Sequence, residues 1–366
     1  MSNFNMSAGV LAAAAAAAAA LLVPGLAGAQ SWDEKPAQGV AALQRSFGGA
    51  GLLAEWSNNE TFGVVQSRGN LQYAHETSAS SGGMGNGYRD DVSSLVVPLS
   101  GLWELPDRKS FIWVNAGKTF GDAEPNPTYS RPDLGTLTVE YLHMVDENTV
   151  WGIGVMLDRG TTELLHNGGT TESWASGLRA DLLHRFSPHW GIAARAVILD
   201  GKTRTTVPLG FADLRIEQDR RRYYLQADLV GNFTDADADF LPRGWVMNPI
   251  IGIAAQRTKR GATTTSLGES VAAETDDYNL LSTTVRFSKP TYQPRKWGPS
   301  IELGFEHELD NDLGHYADEP TYAYGKIGAG ILLDPKTYFN ISYARSQGLN
   351  GHRRNEAVTL VLSRNF

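Results

Sequence analysis

The side chains that could do chemistry fall mainly on alternating positions. Glu140, Arg179, Asp181, Arg185, Arg195, Asp228, Arg286, Glu302, Glu306, Glu308 and Lys326 are interleaved with aliphatic and aromatic residues. In extended chain, neighbouring side chains point to opposite faces, so these charges share one face while the apolar residues share the other. Carboxylates and cations mixed on the inner wall of a barrel can line a water-filled pore or neutralise one another across it. Mutual neutralisation is the simpler reading and the one favoured.

Enzymatic readings have less behind them. Asp90-Asp91, and Asp310 with Asp312 and His315, could assemble a rim-located site in which carboxylates orient an imidazole that takes a proton from water. Yet Asp and His are ordinary in polar loops, and no serine stands in a nucleophile elbow with a paired histidine. His352, between Gly351 and Arg353-Arg354, reads as surface. Asp235, Asp237 and Asp239 begin like a calcium loop, but Phe240 and Val246 stand where its glycine and late glutamate are needed, so a solvated acidic turn is expected. The run Gly82-Gly83-Met84-Gly85-Asn86-Gly87 lacks the strand-to-helix context of a phosphate loop. No catalytic residue, metal site or cofactor is assigned.

Composition narrows the choice further. With no cysteine among 366 residues there is no disulfide, thiolate metal site or lipid-anchoring thiol. Lys and Arg number 32 against 40 Asp and Glu, a net charge of −8, which argues against a nucleic-acid partner.

The elements that must hold the charged face are strands. Residues 1–29 form an alanine-rich run ending in Ala27-Gly28-Ala29, the pattern of a cleaved export signal, although no Lys or Arg occurs in residues 1–9. No later apolar run reaches the roughly 20 residues of a membrane helix. Instead Ile301, Leu303, Phe305, His307 and Leu309 alternate with Ser300, Glu302, Gly304, Glu306 and Glu308, and Tyr223, Leu225, Ala227 and Leu229 alternate with Tyr224, Gln226 and Asp228. Twelve such segments are expected, near 109–119, 135–146, 149–159, 173–186, 189–200, 221–233, 246–259, 277–288, 299–310, 322–334, 336–346 and 354–366. Each is longer than an ordinary soluble strand and long enough for a tilted membrane strand, about 9–11 residues. Tight joints at Glu147-Asn148, Ser187-Pro188 and Pro335 alternate with longer polar connections at 120–134, 160–172, 201–220, 260–276, 311–321 and 347–353, although 234–245 and 289–298, on the short side, are also long. The fold class is therefore all-β, a transmembrane antiparallel barrel of twelve strands occupying residues 109–366. Arg68–Ser78 and Tyr88–Leu99, a hairpin within 68–99, would make fourteen.

Residues 30–108 then form a periplasmic or lumenal segment. Within it Pro36, then Val40, Leu43 and Phe47 at helical spacing, and the stop Gly48-Gly49 suggest a short plug helix over 36–47. The chain ends on Phe366, with Leu362, Leu360 and Val358 at alternate positions before it. An aromatic terminus on such a strand resembles the insertion signal of bacterial outer-membrane barrels. Arg364, where an apolar residue is usual, departs from it. The partners implied are outer-membrane lipid and the barrel-assembly machinery.

Several longer motifs resemble the autotransporter β-domain. LGTLTVEYLHMVDENTVWGIGVMLD (134–158) is similar to an early hairpin of that family, GWVMNPIIGIAAQRTKR (244–260) and WGPSIELGFEHEL (297–309) resemble later strands, and 338–366 resembles the closing hairpin. The resemblance implies a twelve-stranded translocator whose lumen holds a helix, in the outer membrane of a Gram-negative cell. In the family this domain exports an amino-terminal passenger, and here the sequence before the first counted strand is too short for a usual one. The expected function is a passenger-poor channel, transport or surface structural barrel; a rim hydrolase and a translocator for a separate chain are the rival expectations.

Overall fold

In the computed structural model the described residues are 38–48, 51–60, 90–124, 130–165, 167–290, 295–312, 319–351 and 353–366. The expected signal (1–29), the strand at 68–78, the glycine run at 82–87, His315 and His352 lie outside them.

Thirteen long strands form one closed sheet. They are β1 (Asp90–Glu104), β2 (Ser110–Glu124), β3 (Ser130–Asp146), β4 (Thr149–Leu164), β5 (Gly169–Arg185), β6 (Trp190–Pro208), β7 (Asp213–Gly231), β8 (Val246–Arg260), β9 (Glu274–Ser288), β10 (Trp297–Asn311), β11 (Thr321–Asp334), β12 (Thr337–Gly348) and β13 (Arg353–Asn365). Neighbours in sequence pair antiparallel throughout, and β13 returns to β1 to close the barrel. All twelve expected strands are present. The thirteenth, β1, overlaps the expected extra strand at 88–99, so the barrel begins at Asp90 and takes in part of the segment first assigned to 30–108. Two residues, Phe233–Thr234, add a short outside strand beside β8.

An odd number of strands cannot alternate direction all the way round, so one pair must be parallel. That pair is β1 with β13, in register from Asp90 opposite Arg353 to Leu102 opposite Asn365. Val97 and Pro98 drop out of the ladder, and proline has no N–H to give it. Phe366 closes the seam at one end: its N–H donates to the Leu102 carbonyl at 2.9 Å and its ring stacks on Trp103 at 4.6 Å between centroids.

The end holding Phe366 and the joints at 105–109, 147–148, 186–189 and 335–336 is the base; the opposite end is the rim. At the rim three of the polar stretches expected to be loops, 120–134, 160–172 and 201–220, are in large part strand. β6 and β7 run for 19 residues each and leave only 209–212 between them, and β4 and β5 leave only 165–168. The reason is that DGKTRTTV and its partner EQDRR keep pairing residue by residue, Asp200 with Arg221 and Arg204 with Glu217, although both faces have become polar. Apolar content marks the membrane span of a strand, not its end.

The alternation sorts cleanly. Ile153, Val155, Leu225, Ile251, Ile253, Leu303, Phe305 and Ile327 are exposed on the outer face. Glu140, Arg179, Asp181, Gln226, Asp228, Ser282 and Glu306 are buried on the inner one. In water such an outer face would be costly; in hydrocarbon it is the favoured one.

Two short helices lie inside the base. α1 (Gln38–Leu43) continues as a π-helical turn over Gln44–Gly48, and α2 (Leu52–Glu60) follows. Val40, Leu43 and Phe47, the residues whose spacing suggested the plug, are buried together with Leu52 and Trp56. Gly51 turns the chain between the helices at φ 70°, and a Cβ there would stand 2.5 Å from Asn248 Nδ2, so glycine is required twice over.

Candidate functional site

The inner wall of the barrel has two tiers. At the base, Leu102, Phe111, Trp113, Leu142, Met144, Val150, Leu183, Ala193, Val230 and Ile250 form one apolar cluster with the helix residues Val40, Leu43, Phe47, Leu52 and Trp56. Leu183 lies two residues from Asp181, Leu142 two from Glu140, and Ala193 two from Arg195. By strand parity the collar therefore shares the face of the buried charges, and the helices it grips sit within the lumen. Burying each of those five side chains contributes about 1.5–3 kcal/mol relative to leaving it exposed. Polar contacts fix the helices to the wall: Val40 N–H donates to Glu104 Oε2 at 3.0 Å, and Arg185 Nη1 donates to the Ser46 carbonyl at 3.1 Å.

Above the collar the same face is mostly polar and ion-paired, apart from a smaller apolar cluster of Ala175, Val197, Leu199, Tyr224 and Ala254 on β5–β8. Asp181 accepts from Arg179 Nε at 2.6 Å and Arg195 Nε at 2.7 Å, and Arg179 Nε also lies 3.2 Å from Glu140. The tetrad fits because β4 carries glycine there: Gly154 lies between Glu140 and Arg179 in the ladder, and a Cβ on Gly152, opposite Asp181, would collide with Glu140 Oε1. Arg179 also lies over the Trp113 ring at 4.8 Å, and Trp113 in turn contacts Trp56 of α2 at 5.1 Å, so the two tiers touch.

On the other side of the lumen Arg286 binds Glu302 at 3.0 Å and Glu55 of α2 at 2.7 Å, all three nearly buried. This is a direct ion pair between wall and helix. Thr284 donates to Glu302 at 2.9 Å; Glu306 accepts from Ser346 at 3.0 Å. Glu308 accepts from Tyr278, Tyr322 and Asn311. Asp228 accepts from Gln226, which accepts from Tyr224 at 2.7 Å. Lys326 is half-buried and sits opposite Glu302 in the ladder.

Of the eleven charged residues singled out from sequence, Arg185 is placed differently from the rest. It lies half-buried at the base, held by Asn148 Oδ1 at 2.8 Å, and serves the helix instead of the polar tier. Among the described residues, the buried charges Glu55, Asp158, Arg220, Arg222 and Glu319 were not singled out. Arg222 reaches Asp158 at 2.9 Å, spanning the small residues of the two strands between; the parity of Tyr224, Gln226 and Asp228, carried two residues further, would have included Arg222. Glu55 lies beyond the expected helix, and the signal for it was Leu52, Leu53 and Trp56 at helical spacing.

Of the residues considered for hydrolysis, Asp310 and Asp312 have structural partners. Asp312 accepts from the Asp277 N–H at 2.9 Å, and Asp310 faces Asn279. Asp237 accepts from the Thr234 N–H and hydroxyl, both at 2.8 Å, which holds its carboxyl below the usual carboxylate range. Among the described residues no group of three or more His, Asp and Glu is placed to hold a metal ion. At the carboxyl end Leu360 is half-buried and Leu362 exposed on the outer face, and Arg364 lies over the Phe366 ring at 5.4 Å.

A closed sheet of long strands, apolar outside and charged inside, defines an outer-membrane type of β-barrel, with a helix held in one mouth. The autotransporter β-domain family model matches residues 112–324, more than half of the sequence, and the chain belongs to that family. Its fold is similar to the translocator domain of the autotransporter NalP from Neisseria meningitidis, at 16% identity and a TM-score of 0.50, covering 80% of this chain and 94% of that one. Weaker likenesses are to the transport unit of the autotransporter AIDA-I from Escherichia coli (12% identity, TM-score 0.43, covering 81% and 98%) and to the β-domain of the Bordetella autotransporter BrkA (14%, 0.47, 68% and 96%). No curated protein matches the sequence. The protein is an outer-membrane β-barrel of the translocator type.

Proposed function

We propose that this barrel is a transport channel of the Gram-negative outer membrane, sealed at its base by residues 38–60, with the base in the periplasm and the rim outside. The observation that carries the reading is the apolar collar, an arc of lumen-facing aliphatic and aromatic side chains on β1–β8 that packs against the two helices at the base. A wall meant only for a water-filled pore has no use for it. The polar tier above supplies a hydrated path with fixed charges of both signs, which suits passage of polar solutes or extended chain. Phe366 at the base supports the assignment of that end to the side from which the assembly machinery works. Leu360, Leu362 and Phe366 present it with a strand end.

Single-channel recording in planar bilayers tests the proposal. The intact protein should show little conductance, and deletion of residues 30–67 should give a stable open pore. No conductance in either form would end the channel reading.

A further inference from the structure

We infer that the inner wall above the collar is the docking surface for residues 61–89 of this chain, which cross the lumen from base to rim and emerge there before the chain turns down as β1. The two ends of that stretch are fixed on opposite sides of the barrel. Leu52 and Trp56 of α2 pack into the collar at the base. β1 instead starts at the rim, with Asp90 opposite Arg353 and Asp91 opposite Glu124, and reaches the base only at Glu104. The odd strand count is the cause: an even barrel begins and ends on one side, whereas thirteen strands put the first residue of the sheet at the rim and the last at the base. Hydrocarbon surrounds the barrel, and unpaired backbone groups there cost several kcal/mol each, so the lumen is the path left to the chain. Its length is ample. The 15 residues of β1, at about 3.3 Å each and a tilt of about 40°, make the wall about 38 Å tall. Extended chain covers that in about 11–12 residues, and 29 stand between Glu60 and Asp90. The part nearest β1, including 82–87, therefore extends beyond the rim.

The burial of the wall supports the same path. About eight strands make a barrel that its own side chains just fill, and thirteen make one too wide for that. Yet Thr119, Thr138, Thr258, Ser282, Ser346 and Asn355, on six different strands above the collar, are each only 1–3% exposed. The helices do not reach them: α1 and α2 touch the wall at the collar and, through Glu55 and Trp56, just above it. Something else in the chain covers this tier, and 61–89 is the stretch that has to pass it. Its composition suits the place. Ten of its 29 residues are Ser, Thr, Asn or Gln, and its Lys, Arg, Asp and Glu are only Arg68, Glu76 and Arg89. Such a stretch can exchange hydrogen bonds with the hydroxyls, amides and ion pairs of the wall, as buried polar groups require. Hydrogen bonding would hold it, in contrast to the apolar seating of the helices below.

Photocross-linking of the purified full chain tests the path. A p-benzoylphenylalanine in place of Thr138 or Ser282, both inward at mid-height, should join on irradiation to peptides from 61–89, identified by mass spectrometry; in place of the outward Leu225 it should not. If one lumen variant fails to insert, the other carries the test. Cysteine labelling reads the exit, in a chain with no native cysteine to interfere. On intact cells an impermeant maleimide should label Met84→Cys as readily as Phe211→Cys in the rim turn, and should reach Lys336→Cys at the base only after the outer membrane is permeabilised. Cross-links confined to wall strands or to 38–60, or a Met84→Cys that follows Lys336→Cys instead of Phe211→Cys, would overturn the inference. Phe211→Cys shielded with Lys336→Cys labelled would reverse only the membrane orientation proposed above, and Met84→Cys should still follow Phe211→Cys. The cross-links are read without reference to conductance, so the path and the channel reading fail separately.

Discussion

The lumen's two tiers are built from the same strands and the same alternation, yet one is apolar and the other charged. On β5 the inner face reads Arg179, Asp181, Leu183, and on β3 it reads Glu140, Leu142, Met144. The change comes within a single step of two residues, and it occurs where α1 and α2 meet the wall. Where a wall faces polar side chains and solvent, polarity is tolerated and ion pairs organise it. Where it faces another apolar element, the usual core logic returns, and a lumen-facing position behaves like the interior of a soluble protein. The comparison separates two roles for one face: lining a passage and holding a stopper.

Substitutions can break that comparison at either tier. The largest effect is expected at Phe47, which is fully buried between helix and collar. Phe47→Ala should cost about 3–5 kcal/mol of helix seating. Hydrogen exchange should then accelerate across 38–60 while the strands keep their protection. Arg286 comes next, because it joins the tiers. Arg286→Met leaves Glu55 and Glu302 buried without their cation, at a cost of about 3 kcal/mol. A double-mutant cycle with Glu55→Gln should return a coupling well above zero, whereas a value near zero would detach α2 from the polar tier.

The outer face supplies a third, smaller contrast. Lysine at Ile153 or Leu303 should destabilise the barrel by about 2–4 kcal/mol, and lysine at the inward Thr359 by less than about 1 kcal/mol. Denaturant unfolding in lipid vesicles reads both, and equal costs would mean that the faces are inverted. The smallest effect concerns the base turns. Asp107 accepts from the Ser110 hydroxyl at 2.6 Å and from the backbone N–H groups of Ser110 and Lys109, which holds its carboxyl below the usual carboxylate range. A carboxyl depressed in the folded state adds stability that is complete above its unfolded pKa and is lost as pH falls through the folded one. Asp107→Asn should therefore lower stability slightly at neutral pH and leave it unchanged in acid, where the contribution is already lost, so that the acid end of the stability profile flattens.

Much of this was legible in the residues. Period-two alternation defined the twelve strands from β2 to β13 and the face that each charge occupies, because one register error would send every side chain to the wrong side. Val40, Leu43 and Phe47 marked a helix with a buried stripe. Other features were hidden for physical reasons. β1 carries apolar residues on both faces, with Val96 and Leu102 buried inward and Leu95 exposed outward, so it lacks the polar partner face that announced the others. The strand extensions at the rim are polar on both sides and look like loops until their partners are aligned. Arg222 and Asp158 meet across intervening strands, a distance that no local spacing encodes.

The central claim is that the helices seal the base by covering the collar, and the accessibility of Ala193 tests it most directly. Ala193 is 3% exposed within the cluster, and the native chain has no cysteine to compete with a probe. In the Ala193→Cys variant a membrane-impermeant maleimide should fail to label the folded barrel, and should label it readily once residues 38–60 are deleted. Equal labelling of Ala193→Cys with and without those residues would contradict the seal.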